Sequence, residues 1–174
     1  MNAPAPEYSV CVTLDDLPKG GRHFVLEANA EERIAVAKRL GVPAIESLSG
    51  DLRITASKER FAVRGTVAAR LTRECVVSLE EIAEDVDERF DIHFVRRETA
   101  SETDDEELSL DAPEVHSNPV FDVGELLIQQ LSLAMAPFPK KQGASGLTSE
   151  FATQEEASPF AQALGKAIKS DQKQ

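Results

Sequence analysis

Residues 60–75 read "RFAVRGTVAARLTREC", and this stretch decides the fold. Phe61, Val63, Val67, Ala69 and Leu71 fall on odd positions, with Gly65 among them; Ala62, Arg64, Thr66, Ala68, Arg70 and Thr72 fall on even ones. Side chains along a strand point alternately to its two faces, so the pattern predicts one long strand with an apolar side and a polar side. Downstream, "EIAEDVDERFDIHFV" (81–95) repeats it. Ile82, Val86, Phe90, Ile92 and Phe94 share one side, interrupted by Glu84 and Glu88. Glu81, Asp85, Asp87, Arg89, Asp91 and His93 share the other. Upstream, "SLSGDLRITAS" gives a strand around Asp51–Ala56. Adjoining strands with one apolar face each predict an antiparallel meander covered on one side.

Two helices are expected to cover it. In "NAEERIAVAKRLGVP", Asn29 is a candidate N-cap with Glu32 three residues on, and Glu31 and Glu32 suit the positive end of the helix dipole. Ile34, Ala37 and Leu40 read as its apolar stripe, and Gly41 and Pro43 stop it. In "FDVGELLIQQLSLAMAPFPK", Asp122 and Glu125 repeat the capping spacing. Val123, Leu126, Leu127, Leu131, Ala134 and Met135 form a broad apolar stripe, better suited to packing on the sheet than to a partner. The chain opens on an alternating strand, "EYSVCVTLDDLP", with Tyr8, Val10, Val12 and Leu14 on one side. A turn and a second short strand, "HFVLEA", follow. The expected fold class is α+β: a curved antiparallel sheet or partly closed barrel of five or six strands, with two main helices and a flexible C-terminal tail. Residues 1–140 are expected to form a single domain containing an acidic loop at 98–118. Residues 141–174 are expected to be a flexible tail with a candidate short helix at 159–169, marked by Ser158, Pro159, Phe160, Leu164 and Ile168.

Composition narrows the function. The net charge of −12 repels nucleic acid over the surface as a whole and favours basic partners. The acidity is regional: of 31 acids, seven lie in Glu80–Asp91 and eight in Glu98–Glu114, and the remainder balances at 16 acids against 16 bases. Eight Phe, one Tyr and no Trp disfavour a base-stacking platform. No cationic, apolar leader opens the chain, and no apolar run approaches the ~20 residues of a membrane span. Two isolated cysteines, Cys11 and Cys75, suit a reducing compartment. The expected location is the cytoplasm, with no membrane partner.

Candidate chemistry is sparse. Cys75 sits between the alternating run and the acids, in "RLTRECVVSLEEI". A nucleophilic cysteine needs a base and an electropositive setting. Cys75 adjoins Glu74 and continues the apolar face, so it reads as a small core residue. Structural zinc wants paired ligands, and His23, His93 and His116 are scattered. "TDDEEL" lacks the spacing of a calcium loop. "KGG" at Lys19–Gly21 reads as a turn, and no Gly-rich phosphate loop is present. No cofactor, metal or small-molecule substrate is expected. Arg53, Arg64, Arg70 and Arg73 are the candidate contacts: a basic stripe for phosphates, or an ordinary polar face whose arginines meet Glu81 and Asp85 across the ladder. The residues favour the second.

Taken in order, these features resemble the YceD family of large ribosomal RNA subunit accumulation proteins, and its alphaproteobacterial type most. The resemblance is carried by "LDDLPKGGRHFVLEANAEERIAVAKRLGVPAIESLSGDLRI", "VRGTVAARLTRECVVSLEEI", an acidic stretch, "FDVGELLIQQLSLAMAPFPK" and "SPFAQAL". It implies a cytoplasmic, non-enzymatic factor for 23S rRNA processing or accumulation and large-subunit assembly. Such a factor would bind pre-ribosomal RNA, a basic ribosomal protein or a processing protein. Many members carry a C-x-R-C-L-like motif at the central turn; here Cys75, Val76, Val77, Ser78 and Leu79 keep the first Cys and the Leu only. That departure makes Cys75 and Leu79 structural landmarks and undercuts an obligatory metal or dithiol role. The alternative reading, a metal-dependent hydrolase or nuclease, requires two or three carboxylates converging on one point.

Overall fold

In the computed structural model, residues 6–96 and 113–144 are described. They fall into two units, 6–140 and 141–144, and the first carries every element below. Residues 98–112 of the expected acidic loop, and the candidate helix at 159–169, lie outside the described residues.

The alternating runs become three long antiparallel strands, β3 (Ala44–Ala56), β4 (Arg60–Glu74) and β5 (Glu81–Arg96). Phe61, Val63, Val67, Ala69 and Leu71 of β4 are buried, as their parity requires. Leu48, Leu52 and Ile54 of β3 and Val86 and Phe94 of β5 join them in one core. β3 begins seven residues earlier than Asp51, the start expected from sequence. Its first half, "AIESLSG", is rich in small polar residues and alternates only after a bulge between Ile45 and Ser47. β2 (Arg22–Glu27) pairs antiparallel with β3, and β6 (Glu114–His116) pairs with β5, giving the order β2-β3-β4-β5-β6. The sheet stays open and does not close into a barrel. β6 runs parallel to β5, unlike the antiparallel meander; the connection over residues 97–113 is long enough for the crossover that parallel pairing needs. The opening strand β1 (Cys11–Thr13) does not pair with β2. It pairs with β7 (Val120–Asp122) in a second, two-stranded sheet.

Helix α1 (Ala30–Leu40) starts on a complete capping box. Asn29 Oδ1 accepts the Glu31 and Glu32 N–H groups at 2.9 and 3.0 Å, and Glu32 accepts the Asn29 N–H at 2.7 Å. Gly41, at φ +66°, ends it in the left-handed conformation. The buried face is formed by Val36 and Ala37 with Leu40 packed against the core, and Ile34 is 71% exposed, so the expected stripe of Ile34, Ala37 and Leu40 is corrected at Ile34 alone. Steps of three residues fall short of a full turn, so Ile34, two steps before Leu40, lies round the helix from the side formed by Val36, Ala37 and Leu40.

Helix α2 (Val123–Ala134) lies on the apolar face of the main sheet and buries Val123, Leu126, Leu127, Ile128 and Leu131. Asp122 caps it, accepting the Gly124 and Glu125 N–H groups and also the Val10 N–H at 2.9 Å. The close seat depends on Gly50: a Cβ there would stand 2.5 Å from Leu127 Cδ1. Glu125 does not complete a capping box. It forms a two-pronged ion pair with Arg39 of α1, both contacts at 2.6 Å, which holds its carboxyl below the usual glutamate range.

Two predictions follow from these seats. Gly50→Val should cost about 1–3 kcal/mol of unfolding free energy in urea. Combining it with Leu127→Ala should cost less than the sum of the single effects, and strict additivity would refute the contact. Because the folded-state pKa of Glu125 is lowered, its stabilisation is complete above the ordinary value of about 4.3 and fades as pH falls through the lower folded value. The stability gap between wild type and Glu125→Gln should therefore narrow under acid, measured as the urea midpoint against pH.

Candidate functional site

Both helices pack into the core on one side of the main sheet, and the other side carries none of the described elements. On this bare face the sequence places His23, Val25 and Glu27 of β2, Asp51 and Arg53 of β3, Ala62 to Thr72 at even positions of β4, and Glu81 to His93 at odd positions of β5. Alternation explains it: the residues that do not build the core must face away from it.

Three of the four candidate arginines lie here, and each is already engaged. Arg64 and Asp91 are cross-strand partners, with Nε 2.9 Å from Oδ2. Arg70 and Asp85 are partners too, at 3.6 Å. Arg53 stands directly opposite Arg64 and donates to the Gly20 carbonyl at 2.6 Å. His23 meets Asp51 at 2.6 Å and His93 meets Asp91 at 3.3 Å. Of the two acids expected to face the arginines, Asp85 does so; Glu81 faces Glu74 instead, and Asp91 takes the second place. Asp87 lies opposite Ala68. The β5 side of this face is therefore a column of four carboxylates, Glu81, Asp85, Asp87 and Asp91, interrupted by Ala83 and Arg89.

Arg73 belongs to the opposite side. It shares the parity of Leu71, is only 14% exposed in its side chain, and pairs with Glu84 at 2.8 Å. Its second amino group donates to the Ala136 carbonyl at 3.2 Å, while Glu84 accepts the Ala136 N–H at 2.6 Å. The pair thus satisfies both polar groups of one peptide residue just past α2. Arg53, Arg64, Arg70 and Arg73 do not form a single stripe. Sequence reasoning treated Glu84 as an interruption of the apolar face; the signal was that Arg73 interrupts the facing strand at the neighbouring rung.

Cys75 is fully buried. Its N–H donates to Glu80 O and its carbonyl accepts the Leu79 N–H, both at 2.9 Å, closing the β4–β5 turn. The Ser78 N–H points to its Sγ at 3.4 Å, and the Val76 N–H bonds Pro139 O at 3.0 Å. Leu79 takes a left-handed φ of +57° and is 70% exposed. Among the described residues no three His, Cys, Asp or Glu side chains converge as a cation's ligand set. The described carboxylates of β5 are spread as ladder rungs, not gathered in a cleft.

The fold and this face define an α+β protein that presents an open, charged sheet surface. The sequence profile of the YceD family, "Large ribosomal RNA subunit accumulation protein YceD", matches residues 63–167, and the chain belongs to that family. The matched span holds most of β4 and all of β5, β6, β7 and α2. Its description ties the chain to accumulation of large-subunit ribosomal RNA. No curated protein and no solved structure matches the chain. No helix among the described residues is long and apolar enough to cross a membrane.

The buried turn gives a test of what Cys75 contributes. Cys75→Ser exchanges a fully buried thiol, its Sγ facing the Ser78 N–H, for a smaller and more polar hydroxyl and should cost about 1–3 kcal/mol in urea unfolding, with co-purifying partners unchanged. A variant of undiminished stability that loses those partners would show the thiol itself to be functional.

Proposed function

We propose that the protein is a non-enzymatic, cytoplasmic factor in large ribosomal subunit assembly, supporting 23S rRNA processing and accumulation by binding. Its bare sheet face holds a basic ribosomal or processing protein. The observation that carries this reading is the column Glu81, Asp85, Asp87 and Asp91 along β5, beside arginines already paired with two of its members.

The balance of charge selects the partner class. A phosphate approaching Arg64 or Arg70 must displace a carboxylate that stays nearby and repels it. A lysine or arginine meets Asp87 and Glu81 without that competition, and potentials of opposite sign steer association. The exposed pairs themselves contribute little to stability, so exchanging them for contacts with a partner costs little. Direct contact with pre-ribosomal RNA through Arg53, Arg64 and Arg70 is the second reading, favoured by the juxtaposition of Arg53 and Arg64 across the ladder.

Pulldown of the full chain from growing cells, with and without RNase, separates them. Ribosomal or processing proteins should survive RNase and be lost with Asp85→Lys/Asp87→Lys. Recovery of pre-23S fragments that disappears with Arg64→Glu/Arg70→Glu, while Asp85→Lys/Asp87→Lys changes nothing, would establish the RNA reading instead. Absence of both classes of material would sink the assembly function.

A further inference from the structure

β2 is an open edge of the main sheet, and its sequence complements itself. It pairs with β3 over Arg22–Glu27 without a register break, and among the described residues no strand pairs its other side. An edge of this kind can template another strand; "RHFVLE" has no Pro, Lys or bulge, and its charges, Arg22 and Glu27, stand at its two ends. The Ala28 N–H donates to Leu48 O at 3.0 Å, and bonded rungs alternate along an antiparallel ladder. Phe24 and Leu26 therefore bond inward to β3, and His23 and Val25 turn their N–H and C=O groups outward. Tyr8 meets the Glu27 backbone at the strand's end, so the outward backbone groups left open are those of His23 and Val25, and Val25 is the one rung that a symmetric pair can bond without displacing Tyr8. The Val25 side chain is 74% exposed.

We propose that β2 pairs antiparallel with β2 of a second copy of this chain, on a two-fold axis through Val25 and perpendicular to the sheet. Such an axis keeps every side chain on its own face, and residues equally spaced about Val25 meet. Val25 lies against the partner's Val25, Phe24 against the partner's Leu26, and His23 against the partner's Glu27. Each is a favourable cross-strand pair: branched aliphatics at the centre, an aromatic beside an aliphatic, an imidazole beside a carboxylate. Centring on Phe24 instead would set Val25 against the partner's His23 and leave Glu27 without a match. The pairing joins the two bare faces into one continuous charged surface. It is shorter than a standard interface, so it forms a weak dimer in exchange with monomer.

The full chain tests this by sedimentation velocity from micromolar to millimolar concentration. Wild type should shift from monomer to dimer as concentration rises. Val25→Lys sets two cations opposite each other and should weaken association roughly tenfold or more, with the unfolding midpoint unchanged because the side chain is exposed. In a Cys11→Ser background, Val25→Cys should give a covalent dimer on mild oxidation, and Thr55→Cys, on the same face but remote from the axis, should not. A monomer at every concentration, or a dimer indifferent to Val25→Lys, overturns the proposal. Neither result bears on the pulldown, which reads a different surface.

Discussion

The close approach of Leu127 to Gly50 is the constraint on which the other contacts of α2 depend. The Leu127 side chain fills the space that a side chain on Gly50 would need, so the two cannot both be accommodated without repacking. Once seated, α2 fixes its surroundings through polar contacts at both ends. Asp122 caps the helix and holds Val10, and so the opening segment. Glu125 grips Arg39 and so α1. Just past the C-terminal end, Ala136 is held by Arg73 and Glu84 on two strands. The apolar seat sets the position, and the polar contacts remove the freedom to slide.

Crowding both helices onto one side leaves the other to its charges. The β4–β5 ladder arranges them as rungs: arginine against aspartate where Arg64 meets Asp91 and Arg70 meets Asp85, acid against acid where Glu74 meets Glu81. Exposed pairs of this kind are screened and worth little. Like charges directly across a ladder are unfavourable, and a cationic partner relieves them. A face built this way keeps its charges solvated and carries more acids than free bases along β5.

How much of this was legible depended on how local the deciding contacts were. β4 alternates so regularly that its buried set could be named residue by residue; on β5 the side was legible, although only Val86 and Phe94 of its five apolar residues are buried, and the Asn29–Glu32 box and the Gly41 stop are written within a few positions. The facing of α1 was legible only in part: Ala37 and Leu40 meet the core as read, and Ile34 does not. Ile34 is as apolar as Val36, and only the shape of the seat on β3 decides which one is buried. The first half of β3 was missed because Ser47, Ser49 and Gly50 carry a loop's composition; Gly50 is there for a helix far along the chain. Alternation marks the opening strand, but its partner β7 lies more than a hundred positions away, and three residues there leave no periodicity to find.

The turn from Cys75 to Glu80 shows the same division between composition and role. A cysteine beside arginines and acids invites a chemical reading, yet the thiol is enclosed and the backbone of Cys75 makes both bonds that close the turn. Leu79 must then adopt a left-handed conformation that costs an ordinary residue roughly 1–2 kcal/mol. The Cys75–Glu80 and Cys75–Leu79 bonds, with the Val76 N–H held by Pro139, offset that cost and fix the exit of α2 against the strand connection. A side chain small enough to be enclosed at Cys75 is what lets the turn fold back this tightly. A larger one would push β4 off the Pro139 segment and loosen the far end of the helix that the sheet was shaped to hold.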